Sequence, residues 1–73
     1  MTITIRDEYI DLDQLLKLAG IAQTGGHAKF IIQEGEVKLN GETETRRRKK
    51  IRPGDQVEVE GEVIDVVGET EAS

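Results

Sequence analysis

Thr2-Ile3-Thr4-Ile5 alternates polar and apolar β-branched residues, the period of a short strand that turns Ile3 and Ile5 to one side. Beyond an acidic stretch, Leu12, Leu15, Leu16 and Ala19 recur at i, i+3, i+4 and i+7, one stripe of an amphipathic helix. Asp11 stands where an N-cap accepts from orphan amides. Gly20 stands where a helix ends in the left-handed region, with Ile21 tucked beneath the turn. Thr24-Gly25-Gly26 opens a second helix, with Thr24 its cap, Ala28, Ile31 and Ile32 its stripe, and Gly35 its stop. About four residues join the two helices, a link so tight that they must pack directly on each other.

The period then changes. Val37-Lys38-Leu39 alternates and Asn40-Gly41 follows, a dipeptide suited to a type I′ hairpin turn because both central residues need positive φ. Glu42 to Thr45 is the expected return strand. The run Arg46-Arg47-Arg48-Lys49-Lys50 has no apolar member to bury, which predicts a solvated loop or strand end. Arg52-Pro53-Gly54-Asp55 is a turn, its proline fixing one corner. Val57 and Val59 alternate with Glu58 and Glu60, and Val63-Ile64-Asp65-Val66-Val67 is the expected last strand. Gly68 to Ser73 is polar and expected to fray. These elements predict an α+β fold: two short packed helices against a small antiparallel sheet of about four or five strands. Residues 1–73 are expected to form one domain.

Composition narrows the function classes. With no cysteine, disulfides, thiolate nucleophiles and cysteine-held metals are excluded. One histidine gives little material for a metal cage, and neither a metal nor a cofactor is expected. No apolar run approaches the roughly 20 residues of a bilayer span. Arg6, Asp7, Glu8, Asp11 and Asp13 occupy the region where a signal peptide would be apolar. A soluble cytoplasmic protein, most simply a monomer, is expected. The net charge of −5 argues at first against a polyanionic partner. It conceals a segregation, because Gln14 to Gly54 carries nine cations against four carboxylates while the remainder carries one against eleven. A ligand that touches one face responds to the local field rather than the total.

Five adjacent like charges, Arg46 to Lys50, repel one another, and a polyanion relieves that repulsion while releasing counterions. The run is the leading candidate for nucleic-acid contact. At Thr24, Gly25 and Gly26, a helix start with side-chain-free amides offers a seat for phosphate. An ordinary cap explains the same residues, and no P-loop signature follows them. His27 in the first turn is either a phosphate or base contact or simply exposed. Lys17, Lys29 and Lys38 fall off the buried stripes, as RNA contacts or as solubilising charge. Asn40 is first of all a turn residue. Phe30 lies one position off its helix stripe and is expected at the core edge. With Tyr9 it makes only two aromatics, too few for a single-strand stacking groove, so recognition through phosphates and RNA shape is expected. No paired-acid or Ser/His/Asp constellation stands out and the chain is small for a substrate pocket, so an enzyme is not expected.

In order, Leu12-Asp13, Leu16, Gly20, Thr24, Ala28, Ile32, Gly35, Val37-Lys38-Leu39-Asn40-Gly41 and Pro53-Gly54-Asp55 resemble the pattern of the S4 RNA-binding domain. The short length and Thr-Gly-Gly opening look most like its small stand-alone members, of the YaaA/YbcJ type. The resemblance, over residues 12–59, implies an alpha-L motif that binds structured RNA, ribosomal or transfer RNA, with the ribosome as a partner, through the helix N-termini and the adjoining hairpin. Two positions where the family often carries arginine hold Asp11 and Gly25 instead. The alternatives are a protein-interaction module whose basic run meets an acidic partner, or an accessory subunit that delivers RNA to an enzyme.

Overall fold

The computed structural model describes residues 1–69. Its elements in chain order are β1 (Thr2–Ile5), β2 (Ile10–Asp11), α1 (Leu12–Leu18), α2 (Gly25–Gln33), β3 (Val37–Leu39), β4 (Glu42–Thr43), β5 (Lys50–Ile51), β6 (Gln56–Val59) and β7 (Glu62–Gly68). Five strands form one sheet in the order β1-β7-β6-β3-β4, and β2 with β5 form a separate two-stranded ribbon. The two helices cover one face of the larger sheet. Leu12, Leu15 and Leu16 from α1 and Ala28, Ile31 and Ile32 from α2 meet Val37, Val57, Val59, Ile64 and Val66 in one buried cluster. The helix stripes read from the sequence are therefore the core faces.

Three of the four pairings in the large sheet are antiparallel, as expected. The fourth is a correction: β1 runs parallel to β7, Thr2 lying beside Asp65 and Ile5 beside Gly68. A parallel neighbour requires a long crossover, and here the entire domain between the two strands supplies it. The fraying expected from Gly68 does not hold for Gly68 and Glu69, because Gly68 closes β7 and the Glu69 amide donates to Ile5 O at 2.8 Å. Residues 70–73 of that expected tail lie outside the described residues.

Both hairpin turns have the same chemistry. Asn40 (φ 51°) and Gly41 (φ 89°) make the expected type I′ turn, and Glu60 (φ 52°) with Gly61 (φ 79°) makes a second one that the sequence reading overlooked. The exposed Asn40 side chain bonds within the protein at both of its polar atoms. Its Oδ1 accepts from the Gln56 amide at 2.9 Å and its Nδ2 donates to Asp55 Oδ1 at 3.1 Å. Asn40→Ala keeps the left-handed backbone without a side chain that favours it and orphans both partners. A loss of about 2 kcal/mol is expected in urea unfolding, and a smaller one for Asn40→Gly.

Two smaller expectations are corrected. Phe30 is 61% exposed rather than a core edge. Asp11 occupies the N-cap position of α1, yet its carboxylate makes no capping bond.

Candidate functional site

The basic run passes from a loop into the start of β5, and one buried residue fixes it in place. Ile51 is fully buried and pairs with Ile10 across the β2–β5 ribbon, while its neighbour Lys50, opposite Asp11, stays exposed. Upstream, the Lys49 amide donates to Arg46 O at 3.1 Å and closes a turn through Arg47 and Arg48. The loop backbone also reaches α1, whose first amides, Leu12 N and Asp13 N, donate to Lys49 O and Arg47 O, each at 2.9 Å. Orphan amides of a helix start need acceptors, and here the loop carbonyls provide them in place of a side-chain cap. With its carbonyls turned toward the helix, the loop carries its cations on the outside.

Those cations converge. Arg46, Arg47, Arg48, Lys49, Lys50 and Arg52 line a single open depression. Arg52 was not singled out from the sequence, although its place just beyond the run, next to the Pro53 turn, was the available signal. The turn holds it: the Arg52 amide donates to Asp55 Oδ2 at 2.8 Å, and the Asp55 amide donates back to Arg52 O at 3.0 Å.

Only one of the six is held by a carboxylate among the described residues. Arg46 Nε and backbone N both donate to Glu44 Oε2, at 2.9 and 3.0 Å. The guanidinium bound to it holds the Glu44 carboxyl below the ordinary glutamate range. A depressed carboxylate contributes its stability at neutral pH and loses it only as the pH falls through the lowered value, so the pair persists into mild acid. Arg46 is itself 72% solvent-exposed, which keeps the energetic weight of the pair small. Lys50 places its ammonium 4.9 Å from the centroid of the Tyr9 ring.

The other candidate residues sit on other elements and line none of this depression. Thr24 caps α2 as expected, its Oγ1 accepting from the His27 amide at 3.0 Å. The Gly25 and Gly26 amides have no acceptor among the described residues, and open space faces the Gly25 Cα. His27 Nδ1 accepts from the Gln23 amide at 3.4 Å, which in the neutral ring leaves Nε2 as an outward donor. Lys17 and Lys29 are exposed on α1 and α2, and Lys38 projects from the open sheet face opposite Glu58. Asn40 joins Lys49, Arg46 and Glu44 around a second, smaller depression beside the β3–β4 hairpin.

Six cations thus line one open depression on a loop tied to α1 by backbone hydrogen bonds. Two helices packed on a small sheet with such a loop define an α+β binding domain of the alpha-L type. The S4 domain model matches residues 3–67, and the chain belongs to that family. It is 49% identical over 59 residues to a Bacillus subtilis (strain 168) protein named probable ribosome maturation protein RlbA, across 81% of this chain and 83% of that one. YbcJ of Escherichia coli (strain K12) is 44% identical over 59 residues, across 81% of this chain and 84% of the relative. The solution structure of YbcJ, described as revealing an alfaL motif involved in RNA-binding, matches with a TM-score of 0.70 at 40% identity, covering 90% of this chain and 85% of that one. The 30S ribosomal protein S4e of Thermoplasma acidophilum shares the fold, with a TM-score of 0.60 at 24% identity, over 80% of this chain and 31% of the other.

Proposed function

We propose that this protein is a non-catalytic RNA-binding module that docks on the phosphates of a folded RNA, ribosomal RNA or transfer RNA. The observation that carries the reading is the ring of six cations, of which only Arg46 is paired with a carboxylate among the described residues. A surface that concentrates like charge costs stability unless an anion meets it. Two relatives support the choice of RNA: one is named for ribosome maturation and the other has a motif described as involved in RNA-binding.

In this reading the loop is the main contact. The start of α2, with Thr24, the open Gly25 and Gly26 amides, His27 and Lys29, takes a second stretch of backbone. Lys17 and Lys38 add to the field, and Asn40 acts by holding the hairpin. The start of α1 takes no phosphate at Leu12 or Asp13, because the loop carbonyls already occupy those amides. With about five phosphates neutralised, log K falls against log salt with a slope of roughly −3.5 to −4.5. A flat salt titration against purified ribosomal RNA would sink the reading. Ribonuclease treatment of an extract is expected to release the protein from its large complexes, whereas retention would favour an acidic protein partner.

Glu44 competes with RNA for Arg46. Glu44→Gln frees that guanidinium and removes a negative charge beside the ring, so affinity is expected to rise about two- to fivefold. Fluorescence anisotropy with labelled RNA measures this directly, and a weakening would show that Glu44 positions Arg46 instead of restraining it.

A further inference from the structure

We infer that Tyr9 is a stacking platform for one unpaired nucleobase, so that the RNA recognised carries a bulged or loop nucleotide next to the phosphates held by the ring. The inference rests on the RNA-binding reading and specifies what that RNA must present. The chain has one tyrosine, one phenylalanine and no tryptophan. Neither aromatic is in the core, which is built wholly of leucine, isoleucine, valine and alanine. Aromatic rings bring the largest apolar area available to a core, and a domain this small has little to spare. A ring left at the surface is free for a role other than packing.

Position supplies one. Tyr9 is 40% exposed and precedes β2, the strand that pairs with the end of the basic run. Lys50, a wall of the cationic ring, holds its ammonium 4.9 Å from the Tyr9 centroid. Tyr9 also lines a third depression together with Thr4, Ile5, Arg6, Asp7, Ile10 and the exposed Leu18. Tyr9 therefore joins a phosphate-binding surface to a largely apolar hollow. A nucleotide has the same two halves, a charged backbone and a flat apolar face. Bases within a continuous duplex are stacked on each other and cannot reach the ring, whereas an unpaired base can. Phe30, on α2, lines neither depression and has no part in this.

Intrinsic fluorescence reports on Tyr9 alone, because it is the only tyrosine and tryptophan is absent. The probes are three RNA hairpins of equal length: fully paired, with a one-nucleotide purine bulge, and with the same bulge made abasic. The intact bulge is expected to bind about tenfold or more tightly than the abasic one and to quench Tyr9 more deeply than either control. Tyr9→Phe should keep the preference and Tyr9→Leu should lose it, both retaining affinity for the paired hairpin. Equal affinity of wild type for intact and abasic bulges overturns the inference whether or not Tyr9→Leu folds, and so does a preference that survives in Tyr9→Leu. Equal, salt-dependent binding of all three hairpins removes the stacking role and leaves the RNA reading standing. Failure to bind any of them removes both.

Discussion

Replacing Arg46, Arg47 and Arg48 together by alanine is expected to weaken RNA binding about 100-fold at low salt, taking roughly 1 kcal/mol for each exposed phosphate contact removed. The slope of log K against log salt should shrink at the same time by about two to three, one for each phosphate no longer neutralised. The three changes are not equivalent. Arg46 already shares its guanidinium with Glu44 in the free protein, so Arg46→Ala alone should lose least. Arg47 and Arg48 have no carboxylate partner among the described residues and keep their full charge for the ligand. The loss should be uniform across RNA sequences, because phosphate contacts carry no base information. Unchanged affinity in the triple variant would place the interface elsewhere, with the α2 start as the next surface to test.

Ile51→Ala is expected to have the largest effect on the fold itself. Ile51 is fully buried, belongs to the single core cluster, and is the only apolar residue between Thr45 and Pro53. Truncating a buried isoleucine costs about 2–5 kcal/mol. A domain of this size has about 4–11 kcal/mol in all, so the variant should lose a large fraction of its stability. Urea unfolding followed by circular dichroism measures the loss. Ile51→Val, at about 0.5–1.5 kcal/mol, is the variant in which the ring can still be assayed. A midpoint in Ile51→Ala matching wild type would mean that Ile51 does not anchor the loop.

Most of the fold could be read from the chain because its signals are local. The stripe Leu12, Leu15, Leu16 and the cap at Thr24 each lie within about two helical turns, and Asn40-Gly41 specifies its turn from two residues. The features that were missed depend on partners far away in sequence. The β2–β5 ribbon has two residues in each strand, too few for any period, and Ile10 and Ile51 look like strays among charges until the fold pairs them. The parallel neighbour of β1 leaves no mark on Thr2-Ile3-Thr4-Ile5 itself. Phe30 misled because one position off the stripe was read as the core edge, whereas that step turns it to solvent.

The candidate site divides in the same way. The charge of the run was plain, and so was its inability to bury itself. Its closure into a ring with Arg52 was not, since that depends on the Arg46–Lys49 turn and on α1 amides reaching Lys49 and Arg47 carbonyls. The lysines assigned to the same face from the sequence, Lys17, Lys29 and Lys38, are distributed over α1, α2 and the open sheet face.

The pairing of β1 with β7 bears on how the chain is made. Synthesis proceeds from the N-terminus, and the residues that Thr2 to Ile5 lie beside are Asp65 to Gly68. Until those residues are made, therefore, the first strand has no neighbour in the sheet. The helices and the Asn40-Gly41 hairpin can form as they leave the exit tunnel, whereas the sheet edge is completed only when the last strand emerges.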